Sequence, residues 1–376
     1  MRMALWHEGG LGDVIDSAHL AIALRRAHSP DYLAYYLRSP IQNDLVFCLW
    51  YDGKPVFDGT LQTDIAWEEC VGKEGHKWDR FIDWKPYVPL EYETRRRLPT
   101  ADEAEAAPPE HWRKQFRDKP FAPLAFDLPQ VTNAAKEIER GISAEWRLLY
   151  RDMFKSPYLN ALQHERTPLH ELACEALDIP PASIDDLDVR LQAPIRWQIR
   201  ALAARPYITI GAGSDTQRNE RQPQTKEWPD GRWEQVIRLV KKEIPHLRIL
   251  QLGKKGESRI RGTHPLIGKT NIPELLWLLK RSTLHLACEN GTVRMARACG
   301  TDSVVVFGPT SHYLYGMEHN WNLHSEACEP CFWKSQRWML KCPKEWDALC
   351  MVSIKTEDVA DAVLRKMEKD KLNDVA

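Results

Sequence analysis

The chain has 376 residues, which at the usual ~150 residues per domain argues for two domains. Its 52 Lys and Arg against 53 Asp and Glu leave a formal charge of −1, which excludes gross electrostatic capture of nucleic acid or of an anionic membrane and leaves room only for a local basic groove. An apolar share of 43% beside 28% charged residues provides an ample core, so disorder, collagen and coiled coil are excluded as descriptions of the whole.

From the N-terminus, Met3 to Trp6 is a short apolar run followed by the turn His7–Asp13, after which Val14, Ile15, Ala18, Leu20, Ala21, Ile22 and Leu24 give a helical pattern. Strand, Gly-rich loop and helix in that order open a doubly wound α/β domain. Leu45 to Trp50 and Arg80 to Trp84 read as strands. Pro86 to Pro129, rich in Pro, Glu and Arg, reads as mostly irregular, and Ala135 to Tyr150 as an amphipathic helix. Pro180-Pro181 and Asp185-Asp186 lead to Pro194, a linker, and the domains are set at residues 1–195, with irregular insertions at about 86–130, and 196–376.

Past the linker the rhythm is regular. Tyr207 to Gly211, Leu247 to Leu252, Leu284 to Cys288 and Ser303 to Phe307 read as strands. Gly231 to Glu243, Ile272 to Lys280 (with Asn271 as its cap) and Gly291 to Cys299 read as helices. Such alternation predicts a parallel sheet with helices on both faces, whose ligands sit beyond the carboxyl ends of the strands.

Five segments carry chemistry. Gly9-Gly10-Leu11-Gly12-Asp13 places a carboxylate at a helix start, where a cap is the simplest role. Gly211-Ala212-Gly213-Ser214-Asp215 leaves room for phosphate at a strand end, and Lys226 adds a cation. Glu257, in Gly253–Glu257 directly after a strand, suits a ribose hydroxyl or plain solvent. Glu289, Asn290, Gly291 and Thr292 link a strand to a helix whose first N–H groups make an anion site, although Glu289 opposes an anion unless it faces a hydroxyl. Cys328, Cys331, Cys342 and Cys350 follow C-x2-C-x10-C-x7-C, a pattern able to close a four-sulfur structural shell around zinc or iron, with two local disulfides as the competitor.

No apolar stretch at the N-terminus suits a signal peptide, and no uncharged run approaches the ~20 residues of a membrane span. With an odd count of 9 Cys, the expectation is a soluble cytoplasmic protein without a disulfide framework.

Taken together, Gly10-Leu11-Gly12-Asp13, the Gly211–Ser214 strand end, Lys226-Glu227-Trp228-Pro229, Leu266–Thr270, Asn290-Gly291, Val304–Thr310 and Cys328–Cys331 with Cys350-Met351 resemble the family 9 glycosyltransferases, the heptosyltransferases of lipopolysaccharide core assembly. The resemblance is strong over about residues 205–355, good over 3–25 and poor between. It implies the GT-B fold, two Rossmann-like domains facing a cleft, with the acceptor on the first and a nucleotide-diphosphate sugar donor on the second. It further implies an inverting reaction with no catalytic metal. Asp13 would then be the general base. Gly12, Gly213, Ser214, Lys226, Glu257, Glu289, Asn290, Gly291, Thr292 and Arg294 would form the donor site. Arg294 stands where the family commonly has His, and it either binds phosphate or faces solvent. A related branch glycosylates bacterial autotransporter proteins and carries a Cys-held iron, which matches the Cys328–Cys350 cluster in kind.

The resulting expectation is transfer of a sugar, by default heptose from ADP-heptose, to a hydroxyl of a glycan or protein. Stable nucleic-acid binding is not expected, and peripheral membrane association and homo-oligomerisation stay open. The competing classes are a catalytically silent nucleotide-sugar-binding protein and a scaffold defined by its metal knuckle.

Overall fold

Strands buried along their whole length, rather than on alternate residues, dictate sheets covered on both faces, and each half of the chain is built on one. The computed structural model describes residues 1–7, 10–37, 39–62, 78–84, 125–129, 165–191, 193–213, 225–332 and 338–373, which fall into two units, Met1–Leu187 and Asp188–Ala376. The expected helix over Ala135 to Tyr150, residue Ser214 and the greater part of the Pro86 to Pro129 stretch lie outside the described residues.

In the first unit, β1 (Arg2–His7) is followed by α1 (Leu11–His28), which starts earlier than the apolar pattern indicates because Gly10 is already its N-cap. β2 (Tyr32–Leu37) pairs in parallel with β1, Met3 opposite Leu33 and Leu5 opposite Tyr35. The strand expected over Leu45 to Trp50 is corrected: Leu45 and Val46 close a helix, α2 (Pro40–Val46). Pro40 pre-sets its first turn, and the Gln42 side chain accepts from the Ser39 N–H at 3.1 Å. Only β3 (Leu49–Tyr51) is extended, and it turns back into β4 (Lys54–Pro55) through Asp52 and Gly53 at φ of 46° and 75°. β5 (Gly59–Gln62), β6 (Arg80–Trp84) and β7 (Ala125–Pro129) complete a sheet ordered β5-β2-β1-β6-β7. β7 runs antiparallel to β6, so the end of the Pro-rich stretch is ordered rather than irregular. α3 (Leu169–Ala176) closes the helical part of this unit among the described residues.

The second unit begins with β8 (Asp188–Val189) and α4 (Trp197–Leu202). It then alternates through β9 (Tyr207–Gly211), α5 (Asp230–Glu243), β10 (Arg248–Gln251), β11 (His264–Pro265), α6 (Ile272–Lys280), β12 (His285–Cys288), α7 (Gly291–Ala298) and β13 (Ser303–Val306). β14 (Trp321–Leu323), α8 (Leu349–Val352) and α9 (Thr356–Asn373) follow. Asn271 caps α6 as expected, accepting from the Glu274 N–H at 3.0 Å, whereas Pro229 rather than Asp230 occupies the cap position of α5. All pairings of the six strands are parallel, in the order β11-β10-β9-β12-β13-β14. Numbered from the first sheet strand, β9, this is 3-2-1-4-5-6, and the order reverses between β9 and β12. Trp228 and Trp233 anchor the core on one side, edge to face at 5.0 Å between centroids. The Trp228 indole donates to the Met351 carbonyl at 3.0 Å, joining α8 to the segment before α5.

Candidate active site

A strand-order reversal leaves a crevice beyond the carboxyl ends of the two strands that flank it, because the connections leave in opposite directions. In the second unit those ends are Gly211 of β9 and Cys288 of β12, and the side chain of Asn290 bridges them. Its amide nitrogen donates to the Gly211 and Gly213 carbonyls at 3.0 and 2.7 Å, while its oxygen accepts the N–H of Thr292 at 2.9 Å as the cap of α7. Asn290 therefore sets the gap between the strand end and the helix start, and its own hydrogen-bonding groups are used in doing so.

Glu289 is almost fully buried between two cations. Lys226 Nζ lies 2.5 Å from one carboxylate oxygen and Arg294 donates to the other at 2.9 Å. Arg294, 6% exposed and stacked 5.3 Å from the Tyr315 ring centre, does not point to solvent. Burial pushes the Glu289 carboxyl up, but Lys226 and Arg294 more than offset this and hold it below the ordinary carboxylate value. The acid that seemed to oppose an anion is thus held by two cations near the amino end of α7, where the helix dipole is positive.

Glu257 packs over the two glycine segments. A Cβ on Gly213 would meet its carboxylate carbon at 2.6 Å, and Gly253 is covered by the same carboxylate, so a side chain at either position would displace Glu257. Glu257 Oε1 accepts from the Lys254 N–H at 2.8 Å, which holds the acid at the mouth of the Gly213 loop. Gly213, Lys226, Glu257, Glu289, Asn290, Gly291, Thr292 and Arg294 are thereby gathered at the ends of β9, β10 and β12.

The residue inspection of the sequence passed over is His285. Its ring lies within the sheet, Nδ1 3.0 Å from Thr209 Oγ1 and Nε2 2.8 Å from Thr292 Oγ1. The signal available was a histidine opposite a threonine in two otherwise apolar strands, a polar pair that has to be satisfied internally.

In the first unit the order also reverses, between β1 and β6, and the carboxyl end of β1 leads to Asp13. Gly12 and Asp13 belong to the first turn of α1 rather than to a loop. Asp13 Oδ2 accepts from the Gly10 N–H at 2.6 Å, so the capping role is real. Oδ1 lies 3.7 Å from Nε2 of the buried His7, and the Asp13 side chain keeps 18% of its surface exposed. Burial pushes the Tyr35 phenol up, and Asp13 and Asp16 act in the same direction.

The four clustered cysteines are close enough to sense one another: burial and then the charges of Cys331, Cys328 and Cys342 raise the Cys350 thiol to about 12. As placed, no three or more His, Cys, Asp or Glu among the described residues are disposed to hold a metal ion. Among the described residues, no helix is long and apolar enough to cross a membrane.

A family model described as glycosyltransferase family 9 (heptosyltransferase) matches residues 131–341, more than half of the chain. No curated protein matches the sequence. Solved structures share the fold over nearly the whole length. A family 9 glycosyltransferase from Veillonella parvula is 15% identical, with a TM-score of 0.57 and coverage of 98% of this chain and 97% of that one. The E. coli ADP-heptose LPS heptosyltransferase II is 14% identical, with a TM-score of 0.56 over 99% of this chain and 100% of that one. The iron-containing dodecameric glycosyltransferase TibC from enterotoxigenic E. coli is 14% identical, with a TM-score of 0.58 over 98% of this chain and 76% of that one.

Proposed function

The chain belongs to glycosyltransferase family 9, and from that premise we propose that it moves heptose from ADP-heptose to a hydroxyl of a glycan or protein, inverting the anomeric centre. The observation that carries this reading is the Lys226–Glu289–Arg294 group, two cations gathered on one buried acid at the start of α7. A departing nucleoside diphosphate gathers negative charge as the sugar turns oxocarbenium-like, and preorganised cations and helix N–H groups answer that charge without reorganising. Glu257, packed over Gly213 and Gly253 at the strand ends, is the acceptor for a ribose hydroxyl.

In the first unit, Asp13 is the group that takes the proton from the acceptor hydroxyl. Its partial exposure supports this role, because an acceptor hydroxyl can approach a carboxylate that keeps 18% of its side-chain surface in contact with solvent. Capping and base catalysis are compatible in one side chain.

Cys328, Cys331, Cys342 and Cys350 are read as the ligands of one structural iron or zinc. The C-x2-C-x10-C-x7-C spacing supports this reading, and closing the shell requires the thiols to move from where the structure places them. Such a shell, closed by sulfur, supplies rigidity rather than reactivity.

The test is Asp13→Asn, which keeps an oxygen acceptor for the Gly10 N–H. Turnover of ADP-heptose, as transfer or as hydrolysis, is expected to fall by at least about 10²-fold, with ADP affinity by calorimetry unchanged. Retained turnover would remove Asp13 from the chemistry, and a wild-type chain that binds no nucleoside diphosphate would remove the donor assignment.

A further inference from the structure

A chain of side-chain hydrogen bonds runs from the interior of the second sheet to the donor region. Ser282 Oγ donates to the Leu284 carbonyl at 2.7 Å and packs 3.1 Å from Thr209 Oγ1, Thr209 Oγ1 lies 3.0 Å from His285 Nδ1, and His285 Nε2 lies 2.8 Å from Thr292 Oγ1. Thr292 Oγ1 in turn lies 2.7 Å from Asn290 Oδ1. Ser282, Thr209 and His285 are buried, so the inner steps of the chain have no water as a substitute partner.

The protons can be placed by counting. Asn290 spends both amide hydrogens on the Gly211 and Gly213 carbonyls, which turns its oxygen toward Thr292. That oxygen can only accept, so the Thr292 hydroxyl donates to it. Thr292 then has only lone pairs for His285, whose Nε2 must carry a hydrogen and donate. Nδ1 is left to accept from Thr209. Burial lowers the imidazole to about 3, so the ring stays neutral through the physiological range.

The backbone at this point has no slack. A Cβ on Gly211 would meet Thr292 Oγ1 at 2.7 Å and the His285 ring carbon Cε1 at 3.3 Å. The hydroxyl–imidazole pair therefore occupies the space where a side chain of β9 would stand, and a shift of either ring or hydroxyl is passed to the Gly211–Gly213 strand end and to the cap of α7 together.

We propose that His285 is a positioning residue for the donor site: by donating from Nε2 to Thr292 it holds Thr292 and Asn290, and so fixes the distance between the Gly213 loop and the helix start that together receive the diphosphate. The inference rests on the donor-site reading above and adds to it a residue that touches no ligand.

The experiment measures ADP binding by calorimetry and thermal unfolding for the wild type, His285→Leu, His285→Gln, Thr292→Val and the Leu/Val double variant. His285→Leu and Thr292→Val are each expected to weaken ADP binding about tenfold, the scale of one hydrogen bond lost from a preorganised site. The double variant is expected to be no worse than the weaker single, since both cut the same link. His285→Gln, whose amide nitrogen can reach Thr292, is expected to recover affinity to within about threefold. Should His285→Leu fail to fold, Thr292→Val, which keeps its shape, carries the same comparison. Lower melting temperatures with wild-type ADP affinity in the folded variants would overturn the role of His285 alone. A wild-type chain that does not bind ADP would overturn the donor-site reading and the role of His285 with it.

Discussion

At the scale of single residues, the second unit gathers Lys226, Glu289 and Arg294 into one group at the start of α7. A carboxylate held by two cations is stable only while both remain, because the interior has no water to replace either. Lys226→Ala removes one of the two cations that hold Glu289. ADP affinity should drop tenfold or more, which calorimetry would read. The same variant has a pH signature. Glu289 lies below its unfolded value in the native protein, so it contributes stability that is present above about pH 4.5 and is lost as pH falls through the lowered native value. Removing Lys226 raises that native value, so less stabilisation remains and it is fully lost at a higher pH. An acid-unfolding midpoint that does not move upward would mean that Arg294 alone sets the state of Glu289.

At the scale of elements, local signals decide where helices begin. Asn271 opens α6 by accepting from Glu274 N–H, and Glu274 answers the Asn271 N–H at 3.2 Å. Asn271→Ala should lower the stability of the folded chain by about 1 kcal/mol in denaturant titration, without altering ADP affinity. Signals of this kind explain what was legible in the sequence. Four strands of the second sheet, β9, β10, β12 and β13, read well because each is a short, largely apolar run, as in Tyr207–Gly211, whereas the edge strands β11 and β14 are too short to leave such a mark. Leu45 and Val46 mislead because their apolarity fits either structure, and the deciding information lies upstream in Ser39 and Pro40. β7 is hidden because its partner β6 lies 41 residues earlier, counted from Trp84 to Ala125, and antiparallel pairing leaves no local mark. In the site, residue types were legible but partners were not: nothing in the spacing of Lys226, Glu289 and Arg294 says that the two cations grip the acid, and His285 enters only through contacts with Thr209 and Thr292.

At the scale of the whole molecule, the cysteine segments and the donor site of the second unit are parts of one packed region. Thr225, next to Lys226, donates its N–H to the Met339 carbonyl at 2.8 Å and its hydroxyl to the Trp338 carbonyl at 2.7 Å, a few residues before Cys342. The Trp228 indole holds the Met351 carbonyl, adjacent to Cys350, and the Cys331 N–H holds the Pro309 carbonyl at the end of β13. The strand of chain that presents Lys226 is thus laid against the segment that a four-sulfur shell would brace. Metal binding coupled to folding should therefore stiffen the phosphate-directed lysine from a distance. The purified chain is expected to carry about one iron or zinc by elemental analysis, and Cys328→Ser with Cys331→Ser should lose it. Loss of the metal should lower the melting temperature and also weaken ADP binding severalfold, although neither cysteine is among the residues assigned to the donor. Metal-free protein with full thermal stability and full ADP affinity would show that the thiols brace nothing, and the tie through Thr225 would then be packing alone.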